Sequence, residues 1–134
     1  MLETLKQHYR LGVLTNGNAD IFRLALGQYF EFSFTAEQLN ASKPLPEPFL
    51  AAQAHAAVNA SEIIHIGDSL EHDVIGALDA GLHAIWFNPD DKEISADVTA
   101  KYHVNFYQVQ CLSDIPAVID TINKSRLHSR VTSP

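Results

Sequence analysis

The stretch "IIHIGDSLEHDVIGALDAG", residues 63–81, decides the fold of this chain. A short apolar run with three isoleucines ends at Gly67 and Asp68, and a segment with the apolar spacing of a helix follows. Such a run is typical of a buried strand when turn residues bound it. Asp68 and, five residues later, Asp73 therefore stand at the carboxyl end of a strand, which is the edge where open α/β sheets bind ligands.

Short β-rich runs alternate with helical segments on both sides of this stretch. The alternation predicts an α/β fold, with a doubly wound parallel sheet between two layers of helices. The predicted strands are Arg10 to Leu14, Phe32 to Phe34, Ile63 to Ile66, His83 to Phe87 and Asn105 to Val109. The predicted helices are Leu2 to Tyr9, Ile21 to Leu26, Glu47 to Val58, Glu71 to Ala80 and Leu112 to Asn123. Residues 1–123 are expected to form one domain, and the polar residues 124–134 a disordered tail.

The charge, hydropathy and cysteine content of the chain argue against several classes of function. The formal net charge of −7 argues against a nucleic acid or an anionic membrane as a partner, because both are negatively charged. No run approaches the roughly 20 apolar residues of a membrane-spanning helix. Cys111 is the single cysteine, so no intrachain disulfide can form. A reducing compartment, and hence a cytoplasmic location, is the prediction.

The two acids of the opening stretch admit two interpretations. Both carboxylates can face one crevice at the junction of strand and helix, where two hard oxygen ligands suit Mg²⁺. Alternatively, Asp68 or Ser69 caps the helix and Asp73 interacts with its positive end. Gly67 lacks a side chain and is expected to let the backbone approach a ligand.

A second strand end lies in "LGVLTNGNAD", residues 11–20. The hydroxyl of Thr15 and the backbone amides of Asn16 and Gly17 can form an anion-binding nest, which suits a phosphate. An ordinary strand-to-helix turn has the same composition. Lys43, within a proline-stiffened loop, is either a cation that neutralises a phosphoryl oxygen or a surface lysine.

The order of these features is more specific than any one of them. A strand followed by TNG, then a lysine followed by proline, then a strand followed by GDS and a further aspartate, resembles the second, third and fourth motifs of the haloacid dehalogenase-like hydrolases. The matching segments are "TNGNAD", "FEFSFTAEQLNASKPLPEPF" and "IIHIGDSLEHDVIGALDAGLHAIWFNP". The resemblance runs from about Arg10 to Pro89 and is to the magnesium-dependent phosphatase branch more than to the true dehalogenases.

The resemblance implies a role for each matching residue. Thr15 and Asn16, with Gly17 in the same turn, would hold the phosphoryl group. Lys43 would steady the nucleophile and the phosphoryl charge. The implied substrate is a small phosphorylated metabolite.

The two aspartates receive the remaining roles. Asp68 would ligate Mg²⁺, with Asp73 supporting the site. Lys43 and Asp73 are the catalytic candidates, and Asp68 and Asp73 are the metal candidates. These assignments come from the resemblance and extend the Mg²⁺ interpretation of the two carboxylates.

The first motif of that family is not matched anywhere in this sequence. In the family it is DxDxT at the end of an N-terminal strand, where one aspartate is the nucleophile and the other the general acid and base. The cap domain that normally follows is also absent. The chain thus resembles the carboxyl-terminal part of such a hydrolase, and phosphatase turnover by this polypeptide alone is not expected.

The expected sheet is therefore incomplete, because the nucleophile strand lies centrally in this family, between the strands predicted at Arg10 to Leu14 and at Ile63 to Ile66. Unpaired backbone groups on buried strands cost free energy. One of three outcomes is expected: direct pairing of these two strands, donation of a strand by a partner chain or a missing N-terminal piece, or poor solubility. A homo-oligomer is one form of the second outcome.

Three alternatives to a hydrolase stay open at this point. The first is a non-catalytic phosphate- or protein-binding module from a truncated gene. The second is a receiver-like signalling domain, although such a domain needs acids after its first strand, where this chain has TNGN. The third is a transition-metal site among the seven histidines, but His65, inside an apolar strand, is better interpreted as a buried or half-buried, hydrogen-bonded histidine.

Overall fold

The computed structural model describes residues 2–15 and 29–132. The strands are β1 (Gly12–Thr15), β2 (Phe32–Thr35), β3 (Ile64–Gly67), β4 (His83–Phe87) and β5 (Phe106–Val109). The helices are α1 (Leu2–His8), α2 (Ala36–Leu39), α3 (Pro46–Ala56), α4 (residues 70–79), α5 (Ala96–Tyr102) and α6 (Ile115–Thr132). Helix α4 begins with the wide π-helical segment Leu70–Ile75 and continues into the α-helical turn Gly76–Asp79. Short 3-10 turns span Ala60–Glu62 and Leu112–Asp114.

The five predicted strands are all present, with ends shifted by at most two residues. The predicted helix from Ile21 to Leu26 lies outside the described residues. Helices α2 and α5 were not predicted, because α2 has only four residues and α5 carries no clear apolar period. A local cap starts α5: the Ser95 Oγ accepts a hydrogen bond from the Val98 backbone N–H at 3.3 Å.

The last helix differs from the sequence prediction. Its backbone stays helical to Thr132, well past the predicted end at Asn123 and through most of the predicted disordered tail, residues 124–134. Pro116 stands in the first turn, where its missing N–H costs no hydrogen bond, and no proline or glycine follows it within the helix. The polar composition used to predict a tail is therefore compatible with a helix.

The strands form two parallel sheets. Strand β1 pairs with β2, and β4 lies between β3 and β5. These parallel strands alternate with helices, which confirms the predicted α/β fold. Among the described residues β1 and β3 do not pair with each other, so direct pairing of these two strands, one of the three expected outcomes, is not what the structure shows.

Helices cover both faces of the sheets, as a doubly wound fold requires. On one face Phe49 of α3 and Val74 of α4 pack against Ala84 and Trp86 of β4. On the other face Ile85 of β4 packs against α1 and α6. Successive residues of β4 thus point into opposite apolar layers, which explains why this strand has no polar alternation. No helix in the described part of the chain is both long enough and apolar enough to cross a membrane.

Within residues 2–15 and 29–132, one edge of β3 faces β1 across a cavity with no strand between them. The Ile63 carbonyl accepts a hydrogen bond from the His83 N–H at 3.0 Å, so the backbone groups of Ile63 and His65 point towards β4. Because these groups alternate along a strand, those of Ile64 and Ile66 point the other way, towards β1.

This geometry predicts a contrast in amide hydrogen exchange. The amides of Ile64 and Ile66 should exchange faster than that of Ile85, which lies in the central strand β4 and is fully buried. Exchange followed by mass spectrometry with fragmentation, or by NMR, measures this contrast. Equal protection of these amides in a monomer would show that the edge of β3 is already paired.

Candidate active site

A buried carboxylate organises the carboxyl end of β3. Asp73, on α4, forms an ion pair through its Oδ1 with the Lys43 ammonium, and the same oxygen lies 3.1 Å from the His65 Nε2. Its Oδ2 accepts a hydrogen bond from the Ser69 backbone N–H at 3.2 Å. The side chains of Lys43, His65 and Asp73 are 11%, 13% and 9% exposed, so the cluster is largely removed from water.

The start of α4 places Asp73 in this position. The Ser69 Oγ accepts a hydrogen bond from the His72 N–H at 3.1 Å, and the Ser69 carbonyl accepts one from the Asp73 N–H at 2.9 Å. Ser69 is therefore the helix cap, and Asp73 lies in the first turn, where the helix dipole favours a negative charge. The capping interpretation is correct for Ser69, and it leaves the Asp68 carboxylate to another role.

Two glycines allow this close packing. A Cβ on Gly67 would lie 2.3 Å from the Asp73 Cγ, so the absent side chain makes room for the Asp73 carboxylate. A Cβ on Gly76 would lie 2.9 Å from the Pro44 Cα and from the Phe49 ring. Gly76 thus lets the loop that carries Lys43 lie directly on α4. The approach of a ligand to the Gly67 backbone stays a prediction.

His65 is held from a second side. The ring of Phe49, which is fully buried, meets the His65 imidazole edge to face, with 5.2 Å between centroids and an interplanar angle of 85°. The prediction of a buried or half-buried, hydrogen-bonded histidine is confirmed, but the sequence did not connect His65 with the site. One sequence signal predicts this contact. A histidine inside an apolar strand needs a polar partner, and the nearest buried acid along the chain is Asp73.

The charge on Asp73 is stabilised within the cluster. Burial alone would raise the pKa of this carboxyl group, but hydrogen bonds from His65 and Lys43, together with the positive charge of Lys43, hold the Asp73 pKa well below its usual range. Asp73 is consequently ionised at neutral pH, and the Lys43 ammonium is fixed beside it.

Asp68 lies next to this cluster but differs from Asp73 in its surroundings. Asp68 is exposed, directly after the last residue of β3. Its backbone carbonyl accepts a hydrogen bond from the Trp86 Nε1 at 3.0 Å, and Trp86 is only 2% exposed. The indole of β4 therefore fixes the backbone from which the Asp68 carboxylate extends towards solvent.

The residues at this edge of the sheet can supply part of the coordination shell of Mg²⁺. No group of three or more histidine, cysteine, aspartate or glutamate side chains in residues 2–15 and 29–132 is arranged to hold a metal ion. Mg²⁺, however, is commonly bound through one or two carboxylates, with water and phosphate oxygens as its other ligands. Asp68 has an exposed carboxylate suited to this role, whereas both oxygens of Asp73 already accept hydrogen bonds from protein donors.

The other predicted site residues lie at and after the end of β1, and only the first of them falls within the described residues. Thr15 ends β1 and is half-buried. Asn16 and Gly17 lie outside the described residues, so the predicted anion-binding nest stays a prediction. The structure brings Lys43 and Asp73 into contact across 30 residues of chain, which sequence spacing alone did not indicate.

Comparison with known proteins identifies relatives over most of the chain. Residues 1–87 match the family model of the haloacid dehalogenase-like hydrolases. The chain is 37% identical over 93 residues to the 5-amino-6-(5-phospho-D-ribitylamino)uracil phosphatase YigB of Escherichia coli (strain K12), a match that covers 69% of this chain and 39% of that protein. The chain spans about half the length of the curated relatives it matches.

Solved structures show the same similarity. A 2-haloacid dehalogenase from Pseudomonas syringae pv. Tomato DC3000 superposes with a TM-score of 0.81 at 43% identity, over 90% of this chain and 50% of that one. The putative hydrolase YfnB from Bacillus subtilis, solved bound to magnesium, has a TM-score of 0.74 at 27% identity, over 89% of this chain and 52% of that one.

The ion pair predicts a pH-dependent loss of stability in an Asp73→Asn variant. Removing one partner of a buried pair costs about 3–5 kcal/mol, because it leaves the other charge uncompensated. The folded pKa of Asp73 is depressed, so the stability it contributes is fully present above its unfolded value of 3.8 and is lost as the pH falls through the folded pKa.

Urea unfolding of both proteins between pH 3 and pH 7 measures this effect. The difference in the free energy of unfolding should be constant near neutral pH and shrink below about pH 4. Lys43→Met, combined with Asp73→Asn, is the matched control, because the double variant has no unpaired charge and should recover part of the loss. Additive effects of the two substitutions would contradict the proposed contact.

A Gly76→Ala variant should separate the Lys43 loop from α4. Overpacking costs about 1–3 kcal/mol, whereas the better helix propensity of alanine returns up to about 1 kcal/mol. A net destabilisation is expected by thermal unfolding. Glu71→Ala, at an exposed position of the same helix, is the control and should be close to neutral. A Gly76→Ala variant more stable than the wild type would mean that Pro44 does not pack against this glycine.

Proposed function

The chain belongs to the haloacid dehalogenase-like hydrolases, and from this membership we propose that it carries the lysine, the Mg²⁺ ligand and the phosphate-binding turn of a phosphomonoester hydrolase. The observation that carries the proposal is the buried cluster of Lys43, His65 and Asp73 beside the exposed Asp68, at the carboxyl end of β3. Ligands of parallel α/β sheets bind at this edge. A cluster with one strongly perturbed carboxyl group is also typical of a functional site.

Lys43 would stabilise the negative charge of the phosphoryl group. An ammonium held in place before the substrate arrives needs no reorganisation when charge develops, which makes its electrostatic contribution large. Asp73 and Pro44 hold Lys43 on α4, and His65 shares the carboxylate oxygen with it. Asp73 thus acts in this proposal by positioning Lys43.

Asp68 would be the protein ligand of Mg²⁺, with the phosphate group and water as further ligands. When bound, the ion would shield the negative charge of the phosphate group. The indole hydrogen bond from Trp86 fixes the backbone of Asp68 and limits where its carboxylate can point. Support also comes from a structural relative that was solved bound to magnesium.

Thr15 and the amides of Asn16 and Gly17 would complete the phosphate site from the end of β1. We propose a small phosphorylated metabolite as the substrate. The names of curated relatives support this class, since they include a phosphatase of a phosphorylated ribitylaminouracil and an N-acylneuraminate-9-phosphatase. Pocket shape at the carboxyl edge would then select among phosphomonoesters.

The sequence has no counterpart of the DxDxT nucleophile motif, and this shapes the proposal. Residues 1–134 would bind and polarise a phosphomonoester without forming an aspartyl-phosphate. The second candidate function, a non-catalytic phosphate- or protein-binding module, is favoured by the same observation. Both candidate functions predict that these residues bind phosphate without turnover. They differ in one requirement: the hydrolase needs a nucleophile from another segment, and the binding module does not.

Mg²⁺ binding provides the test. Isothermal titration with MgCl₂ in the presence of inorganic phosphate should give binding that Asp68→Asn weakens about tenfold or more. Glu71→Gln, which removes an exposed acid three residues away, should leave the affinity unchanged. Equal affinities for the wild type and Asp68→Asn would remove Asp68 from the metal site.

Turnover of p-nitrophenyl phosphate by the chain alone is expected to be absent at the same MgCl₂ concentration. Activity above the blank, abolished by Asp68→Asn, would show that these residues do contain a nucleophile and that the assignment of a missing one is wrong. The Asp68→Asn protein serves here as the matched control for contaminating phosphatases.

A further inference from the structure

We propose that His65 is a positioning residue of the phosphate site: its hydrogen bond to Asp73 sets the direction from which the Lys43 ammonium meets that carboxylate. The orientation of the ammonium towards a bound phosphate follows from this direction. The role rests on the proposed function, since it concerns the lysine that would stabilise the phosphoryl group. It needs neither a change in the protonation state of His65 nor a contact between His65 and the substrate.

The first observation is that two side-chain donors share one oxygen atom of Asp73. The Lys43 ammonium and the His65 Nε2 both contact Oδ1, the latter at 3.1 Å, whereas Oδ2 accepts a hydrogen bond from the Ser69 backbone N–H at 3.2 Å. A carboxylate oxygen accepts hydrogen bonds along two lone-pair directions. Because His65 occupies one direction at Oδ1, the other is left for Lys43, and this restricts how the ammonium approaches.

His65 is the donor in its contact with Asp73. The Asp73 carboxyl group, paired with the Lys43 ammonium, is ionised at neutral pH, and an ionised carboxylate only accepts hydrogen bonds. The His65 Nε2 therefore carries a proton. Both the neutral ring with its proton on Nε2 and the charged ring have this donor, so the contact is independent of which of the two is present.

The His65 ring can set a direction because its own position is fixed. Its backbone lies within β3, where it is paired with Ala84 of the central strand β4. The buried ring of Phe49 contacts the imidazole edge to face, with 5.2 Å between the ring centroids. A donor held on a strand and packed by a neighbouring ring positions its partner more precisely than a donor on a loop.

Lys43 gains from this contact a constraint that its own side chain does not supply. A lysine ammonium is a compact charge on a flexible four-carbon stem, so pairing with a carboxylate fixes its distance more than its direction. A carboxylate that is held at both oxygens by His65 and by the Ser69 N–H transmits the direction as well. An ammonium aimed before the phosphate arrives stabilises it without reorganisation.

Isothermal titration of the whole chain with inorganic phosphate, in the presence of MgCl₂, tests this role. His65→Leu removes the donor and should weaken phosphate binding about tenfold. His65→Gln places an amide N–H near the position of Nε2 and should restore the affinity to within about threefold of the wild type. His103→Leu makes the same change at an exposed position after α5, and this control should bind phosphate as the wild type does.

A double variant separates positioning from a purely structural role. If His65 acts through Lys43, His65→Leu should cause no further loss of phosphate affinity in a Lys43→Met background. If His65 only keeps β3 and α4 packed together, His65→Leu should weaken phosphate binding equally in both backgrounds. If His65→Leu does not fold, NMR of the unaltered chain decides. The His65 Nε2 should there show the nitrogen chemical shift of a protonated ring nitrogen, with a proton that exchanges slowly with water.

Three results would overturn the positioning role of His65: an unprotonated Nε2 in the wild type, equal phosphate affinities of the wild type and His65→Leu, or an equal loss in the two backgrounds. Failure of the proposed function has a different signature. Equal phosphate affinities of the wild type and Lys43→Met would remove Lys43 from the phosphate site, and the role of His65 with it. A loss in Lys43→Met with none in His65→Leu would leave the proposed function standing and remove only the role of His65.

Discussion

The ion pair between Lys43 and Asp73 is the interaction around which the carboxyl edge of β3 is built. A buried carboxylate is tolerated only when its charge is compensated, and here a lysine, a histidine and a backbone amide compensate it. The local sequence follows from this requirement. Gly67 leaves room for the carboxylate, and Gly76 lets the lysine loop approach close enough to reach it. Lys43, 30 residues away in sequence, and His65, eight residues away, are thereby tied to one oxygen atom of Asp73.

The same interaction separates the roles of two aspartates that look equivalent in the sequence. Asp73 is turned inward and engaged by protein donors, whereas Asp68 is exposed and anchored only through its backbone, by Trp86. An exposed carboxylate on a fixed backbone suits a cation that also needs phosphate and water ligands. An inward carboxylate suits the fixing of a lysine. The two acids thus belong to one site but act on different charges.

How much of this could be predicted from sequence depends on the range of the interactions. The five strands follow from short apolar runs with turn residues at their ends, and those are local signals. The contact of Lys43 with Asp73 links residues 30 positions apart, and the resemblance to a family, not spacing, put both in one site. His65 was correctly expected to be buried or half-buried and hydrogen-bonded, but its partner depends on how α4 starts. Helix α6 was underestimated because polar residues without a breaker are equally compatible with a helix and a tail.

The edge of β3 meets a second physical requirement that the ion pair does not satisfy. The ion pair closes the carboxyl end of β3 on the side of α4, but it offers nothing to the backbone groups of Ile64 and Ile66, which face the cavity between β1 and β3. Each such group, when buried without a partner, costs free energy comparable to a lost hydrogen bond. The edge of β3 thus meets two unequal constraints: within the described residues the buried charge of Asp73 is compensated, whereas no neighbouring strand pairs with the backbone groups of Ile64 and Ile66.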